Sequence, residues 1–245
     1  MRTYLYDGSF ESFLTALSLA LEREEPCAIA KAALAETDLF SEFINAGTDP
    51  ARAAAMRDFF ERRGSGESWH HARYAFLSEA PGCENAVLAY ARLIGEKGRA
   101  ADDMLADDRV KRAHGLSASV GGEAHMFKGF VRFKELADKT LYAKIEPDHN
   151  ILPLLTGHFR ARLGGFSWVI HDARRGLAAL HAGGRLVYAP ITQERALEFG
   201  GREARVQALW RQFFKTAAIK ERTNPELQRQ NVPLKYRRNL TEFGG

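Results

Sequence analysis

Lys128-Gly129-Phe130-Val131-Arg132-Phe133-Lys134-Glu135 and Thr140-Leu141-Tyr142-Ala143-Lys144-Ile145-Glu146 alternate apolar and polar residues, with Ala137-Asp138-Lys139 between them able to turn. A period of two marks a half-buried strand, so the pair predicts a β-hairpin. If Val131, Phe133, Leu141, Ala143 and Ile145 face a core, then Lys128, Phe130, Arg132, Lys134, Tyr142 and Lys144 share the other face, because successive strand side chains point to opposite sides. Two arrangements satisfy the pattern. Either that face is open and mixes cations with aromatics, or a helix covers Phe130 and Tyr142 with the cations snorkelling at its rim.

Downstream, Asn150 is placed to cap a helix ending near Leu163, with Pro153 tolerated in its first turn. Phe166 to His171, Leu177 to His181 and Leu186 to Tyr188 are short β-rich runs separated by Ala173-Arg174-Arg175-Gly176 and Ala182-Gly183-Gly184, which suits an antiparallel meander. A final helix spans about Glu203 to Ile219, with Val206, Leu209, Trp210, Phe213, Phe214 and Ala217 on one stripe and Arg211 and Lys215 opposite.

Upstream, Thr3 to Tyr6 reads as a strand, Asp7-Gly8-Ser9 as turn and N-cap, and Phe10, Phe13, Leu14, Leu17 and Leu21 as one helix face. Asp49-Pro50 to about Arg112 reads as a set of helices broken at Gly64-Ser65-Gly66 and Pro81-Gly82. The Ser/Gly run Gly115 to Gly122 sets a soft boundary. The expected class is α+β: an antiparallel sheet built from hairpins and flanked by helices, with a mostly helical N-terminal half. The expected organisation is 1–115 and 116–245, or one continuous domain over both.

At 245 residues the chain can bury a core without staples, and its two cysteines, Cys27 and Cys83, cannot build a zinc ribbon, an iron–sulfur cluster or a disulfide framework. No metal and no cofactor is expected. The opening Met1-Arg2-Thr3-Tyr4-Leu5-Tyr6-Asp7-Gly8 meets charge and glycine early, which predicts neither a signal peptide nor a membrane span, and hence a cytoplasmic protein. Residues 1–108 hold 11 Lys/Arg against 19 Asp/Glu, whereas 109–245 hold 24 against 12. Such segregation favours a positive field that draws phosphate-bearing partners, unless the acidic half packs against the basic half and cancels it.

Two polar clusters lie at strand ends: Glu146-Pro147-Asp148-His149-Asn150, and His171-Asp172 with Arg174 and Arg175. An Asp beside a His can orient it for proton transfer, which makes Asp148, His149, His171 and Asp172, with His125 nearby, candidate catalytic residues. The alternative is that Asp148 or Asn150 caps a helix and Asp172 a turn. No His-Glu-x-x-His, phosphate loop or Gly-x-Ser-x-Gly elbow is present, and His70-His71 has no partner nearby in sequence. Between Arg202 and Gly245 there are 10 Lys/Arg against 4 Asp/Glu. Asn224-Pro225 should end the last helix and release an arm carrying Gln228, Arg229, Gln230 and Asn231, or a strap that packs on its own domain. Arg174, Arg175, Arg211, Lys215, Lys220, Arg222 and Arg229 join the hairpin cations as candidate nucleic-acid contacts.

Tyr6-Asp7-Gly8-Ser9-Phe10-Glu11, His125-Met126-Phe127-Lys128-Gly129-Phe130-Val131-Arg132-Phe133 and Ile145-Glu146-Pro147-Asp148-His149-Asn150-Ile151-Leu152-Pro153 resemble a bacterial family of DNA-metabolism proteins. The likeness extends through Trp168-Val169-Ile170-His171-Asp172, Leu209-Trp210-Arg211-Gln212-Phe213-Phe214-Lys215, Ile219-Lys220-Glu221-Arg222 and Asn224-Pro225. It is least distinct over 25–115. The resemblance implies an accessory role in DNA repair or modification beside a radical SAM protein, or fused to a uracil-DNA glycosylase-like domain. It carries no catalytic residues across. The expectation is a protein that binds single- or double-stranded DNA and no membrane. The rivals are an enzyme acting on DNA or a nucleotide through the His/Asp cluster, and a protein–protein adaptor.

Overall fold

A computed structural model describes residues 2–23, 25–35, 42–191, 199–217 and 225–243, without the side chains of 214–217. The chain divides into two compact units, Met1–Gly122 and Glu123–Gly245.

In the first unit β1 (Arg2–Tyr6) buries Tyr4 and Tyr6 and enters α1 (Phe10–Leu21), whose N-cap Ser9 accepts a bond from the Ser12 amide. The opening strand, turn and helix therefore stand as expected. β2 (Cys27–Lys31) and β3 (Glu42–Asn45) then pair with β1 on either side, both parallel. Parallel neighbours need a crossover, and α1 supplies the one between β1 and β2. α2 (Pro50–Asp58) begins at N-cap Asp49, whose carboxylate accepts from the Ala51 and Arg52 amides. A six-residue π-helical stretch, Phe59–Gly64, leads into α3 (Gly66–Leu77), followed by α4 (Cys83–Lys97). Gly64 is required there, because a Cβ would fall 2.5 Å from Ser68 Oγ. Phe13 stacks on Phe76 at 4.7 Å in an aromatic core shared with Tyr6, Phe10 and Trp69.

The Ser/Gly run Gly115 to Gly122 is helical within α5 (Asp108–Phe130), and the units divide at the end of that run. α5 overturns one expectation, since it takes in Lys128 to Phe130, expected as strand. The reason is a competing period. Val110, Ala113, Ser117, Val120, Ala124, Phe127 and Val131 are all buried and recur every three or four residues, a helical stripe that outweighs a few alternating positions.

In the second unit only Lys134–Glu135 remain of the first hairpin strand, as β4; it pairs antiparallel with β5 (Leu141–Ile145) around the expected turn, where Lys139 takes φ +71°. α6 (Leu152–Leu163) connects β5 to β6 (Trp168–Asp172), and those two strands are parallel. β7 (Leu177–Ala182) and β8 (Arg185–Pro190) complete the antiparallel meander. The sheet, ordered β4-β5-β6-β7-β8, is thus mixed, and the sheet of the first unit is wholly parallel, so the purely antiparallel architecture is corrected within a mixed helix-and-sheet protein. Ala143, Ile145, Leu152, Leu155, Phe159, Trp168 and Ile170 form its core. The N-cap of α6 is Ile151 and makes no side-chain bond, so Asn150 is not the cap.

α7 (Glu203–Ala217) is held at its start by buried Glu203, which accepts from the Glu135 amide at 2.9 Å. Residues 218 and 219 of the expected helix lie outside the described residues. The tail forms α8 (Pro225–Asn231) and α9 (Leu234–Arg237), and Tyr236 and Leu240 are buried. From Leu234 onward it is a strap on its own unit, which corrects the free arm there. Arg229 stays exposed on α8.

Candidate functional site

In the second unit the C-terminal ends of α5 and α6 meet the side of α7 and leave a groove of about 490 Å³. Lys128, Arg132, Phe133, Arg162, Val206 and Trp210 are among its lining residues. Lys128 and Arg162 are exposed cations in the last turns of their helices, where they also complement the helix dipoles.

Arg132 has a different task. Its Nη2 donates to Glu242 Oε1 at 2.6 Å and its Nε to Oε2 at 3.2 Å, while the Trp210 indole N–H donates to the same carboxylate at 3.1 Å. The Glu242 side chain is only 4% exposed. Burial pushes its acidity toward the neutral form, but the Arg132 and Trp210 bonds prevail and hold the carboxyl below its usual range. The guanidinium lies 5.7 Å over the indole ring. Arg132 is therefore neutralised by Glu242 and positions Trp210.

The other hairpin-face candidates scatter. Half-buried Phe130 packs against Phe127 and Tyr236. Lys134 lies over the Phe199 ring. The Tyr142 hydroxyl meets His171 Nδ1 at 2.8 Å, and half-buried Lys144 is in register with His171. Arg211 is half-buried on α7; the Lys215 side chain, Lys220 and Arg222 lie outside the described residues.

The strand-end clusters build a clamp. Buried Glu123 accepts from the Asp148 and His149 amides, both at 2.8 Å, and from the Tyr236 hydroxyl. Asp148 holds Lys235 and Arg174, and the Lys235 contact is the chief reason its carboxyl is held down. Asp172 is fully buried, which pushes its pKa up against the pull of Arg175. It accepts from the Arg174 and Arg175 amides and from Arg175 Nη1, while Arg175 also donates to the Pro147 and Asp148 carbonyls. Asp172 and His171 point to opposite faces of β6, so Asp172 does not orient its neighbour. His125 is exposed on α5. The structure brings Asp148 and Asp172 together through Arg175, as parts of a brace.

Trp210 and Arg162 are not among the site residues the sequence predicts. Trp210 belongs to the apolar stripe predicted for the last helix, of which Val206, Leu209 and Phe213 are 55%, 56% and 59% exposed and Trp210 39%. Arg162 carried only the ordinary signal of a cation in a last helical turn.

The first unit has its own polar hub. Asp102 accepts from Ser65 and Ser68 at 2.7 and 2.6 Å and from the Tyr90 hydroxyl. His114 lies 3.7 Å from it and stacks on His71, whose Nδ1 is 3.1 Å from Ser117 Oγ. Burial, reinforced by His114, lowers His71 to about 4. Among the described residues no group of three or more His, Cys, Asp or Glu is placed to hold a metal ion, and no helix is long and apolar enough to cross a membrane. No curated protein and no solved structure matches the chain. Residues 81–242 match a family model that covers most of the chain and all but the last three residues of the second unit, and the protein therefore belongs to the family described as a domain of unknown function, DUF4130.

Proposed function

We propose that the protein is a DNA-binding accessory protein of DNA repair or modification, with the second unit as its contact surface. One observation carries the reading: a groove walled by Trp210 and Phe133 and bordered by two exposed cations, Lys128 and Arg162. Cations that neutralise phosphates and aromatics that meet bases are the two components nucleic-acid surfaces combine. The charge of the unit supports it, since residues 123–245 hold 21 Lys/Arg against 12 Asp/Glu and cannot pair all their cations internally.

The accessory character and the choice of DNA come from the sequence resemblance, which sets the chain beside a radical SAM or glycosylase-like enzyme. Neither chemistry can be its own, because Cys27 and Cys83 cannot ligate a cluster. Fluorescence anisotropy of labelled DNA tests the proposal. Binding in dilute buffer should weaken steadily as salt rises, through counterion release from the Lys/Arg contacts. The absence of binding to either single- or double-stranded DNA at low salt refutes it.

A further inference from the structure

α7 presents an unusual surface. Its Glu203, Val206, Gln207 and Trp210 edge lines the groove, and Val206, Leu209 and Phe213 are more than half exposed. Apolar groups in water are costly, and a contiguous exposed stripe marks a binding surface. Trp210 and Phe213 lie one helical turn apart with ring centroids at 5.8 Å and planes at 34°. The bond to Glu242 fixes the indole edge and Arg132 stands over its face, so the ring is oriented before any ligand arrives. Lys128 and Arg162 border the groove on one side, and exposed Arg205 flanks the stripe on α7.

On the strength of the DNA-binding reading above, we infer that the ligand is a single strand, with unpaired bases stacked on Trp210 and Phe213 and its phosphates on Lys128, Arg162 and Arg205. The charge is complementary: an apolar stripe among cations fits a chain that offers flat rings and anions together. The exposed rings decide against duplex, because stacking on them needs base faces that are open. A free strand stretches and opens its base faces; a duplex keeps those faces stacked inside.

The test uses the full chain, a labelled thymidine oligomer and a hairpin duplex of matched length, by anisotropy at low salt. The single strand should bind at least about ten-fold more tightly, in line with one or more stacked bases. Trp210→Ala and Phe213→Ala should each weaken single-strand binding about ten-fold and change duplex binding less than about two-fold, while Trp210→Phe retains most of the affinity. Thermal melts identify any variant that fails to fold, and the second position then stands in for the first. Equal affinity for both DNAs, with both alanine variants unaffected, overturns the single-strand assignment and leaves the DNA-binding reading intact. Absence of binding to either DNA overturns both. Self-association abolished by Phe213→Ala, with oligomer affinity unchanged, makes the stripe a protein-docking surface and also overturns the assignment.

Discussion

The two units solve the same interior problem and then part ways at the surface. Each surrounds a carboxylate with donors: half-buried Asp102 with Ser65, Ser68 and Tyr90, buried Glu123 with two backbone amides and Tyr236. Outside, the first unit pairs Arg52 with Glu22, Arg57 with Glu61 and Arg109 with Asp107 and Glu96. Its large exposed hydrophobics, Leu34 and Leu105, are far apart in sequence. The second unit has more cations than anions and leaves an apolar stripe beside them. Interior networks therefore recur in both units, while among the described residues the exposed apolar stripe on which the proposal rests belongs to the second.

The largest effects should come from breaking either interior hub. Glu123→Ala leaves two amides without an acceptor and the buried Tyr236 phenol with only a 3.3 Å contact to Asp148, and should cost about 3–5 kcal/mol. Asp102→Ala should cost a similar amount, about 2–4 kcal/mol. Urea unfolding measures both, and an effect in only one unit breaks the parallel between them.

A surface contrast comes next. Reversing Lys128 and Arg162 together to Glu should weaken DNA binding ten-fold or more, about 1.4 kcal/mol at least. Reversing Arg57 and Arg62 of the first unit should change it less than about two-fold. Anisotropy titrations of the two double variants decide the matter.

Acid sensitivity separates the units by a smaller margin. The folded pKa of His71 lies below the ordinary 6.5, so its contribution is whole above 6.5 and is lost as pH falls toward about 4. In the second unit Asp148 and Glu242 are held below their ordinary 3.8 and 4.5, so their contribution is lost only on acidification through the carboxylate range. Hydrogen exchange in α3 should thus accelerate at a higher pH than in β6. His71→Gln should flatten the first limb by about 1–2 kcal/mol, after allowance for solvent screening. Smallest of all, Arg57→Ala removes an exposed pair and should leave the unfolding midpoint essentially where it was.

Much of the fold could be read from local chemistry. Ser9 before an amphipathic run announces α1, and the glycines at 176, 183 and 184, all at positive φ, announce the turns of the meander. β2 escaped because Cys27-Ala28-Ile29-Ala30-Lys31 buries only Ile29 and lacks a β-branched alternation. α5 was hidden because glycines and serines look like breakers when they sit on a helix face. The parallel pairing of β5 with β6 is a property of the α6 crossover and no single strand encodes it. As for the site, Lys128 was legible and Arg132 was found with the wrong task, since its partner Glu242 is 110 residues away. Trp210 was legible only as part of an apolar stripe, because a helical stripe reports a face and says nothing about what covers it.

Hydrogen exchange of the full chain with and without a thymidine oligomer tests the central claim most directly. Protection should gather at Lys128–Val131, at the end of α6 and along α7, with α1 to α4 unchanged. Protection confined to α1–α4, or none anywhere at saturating oligomer, would contradict a nucleic-acid surface on the second unit.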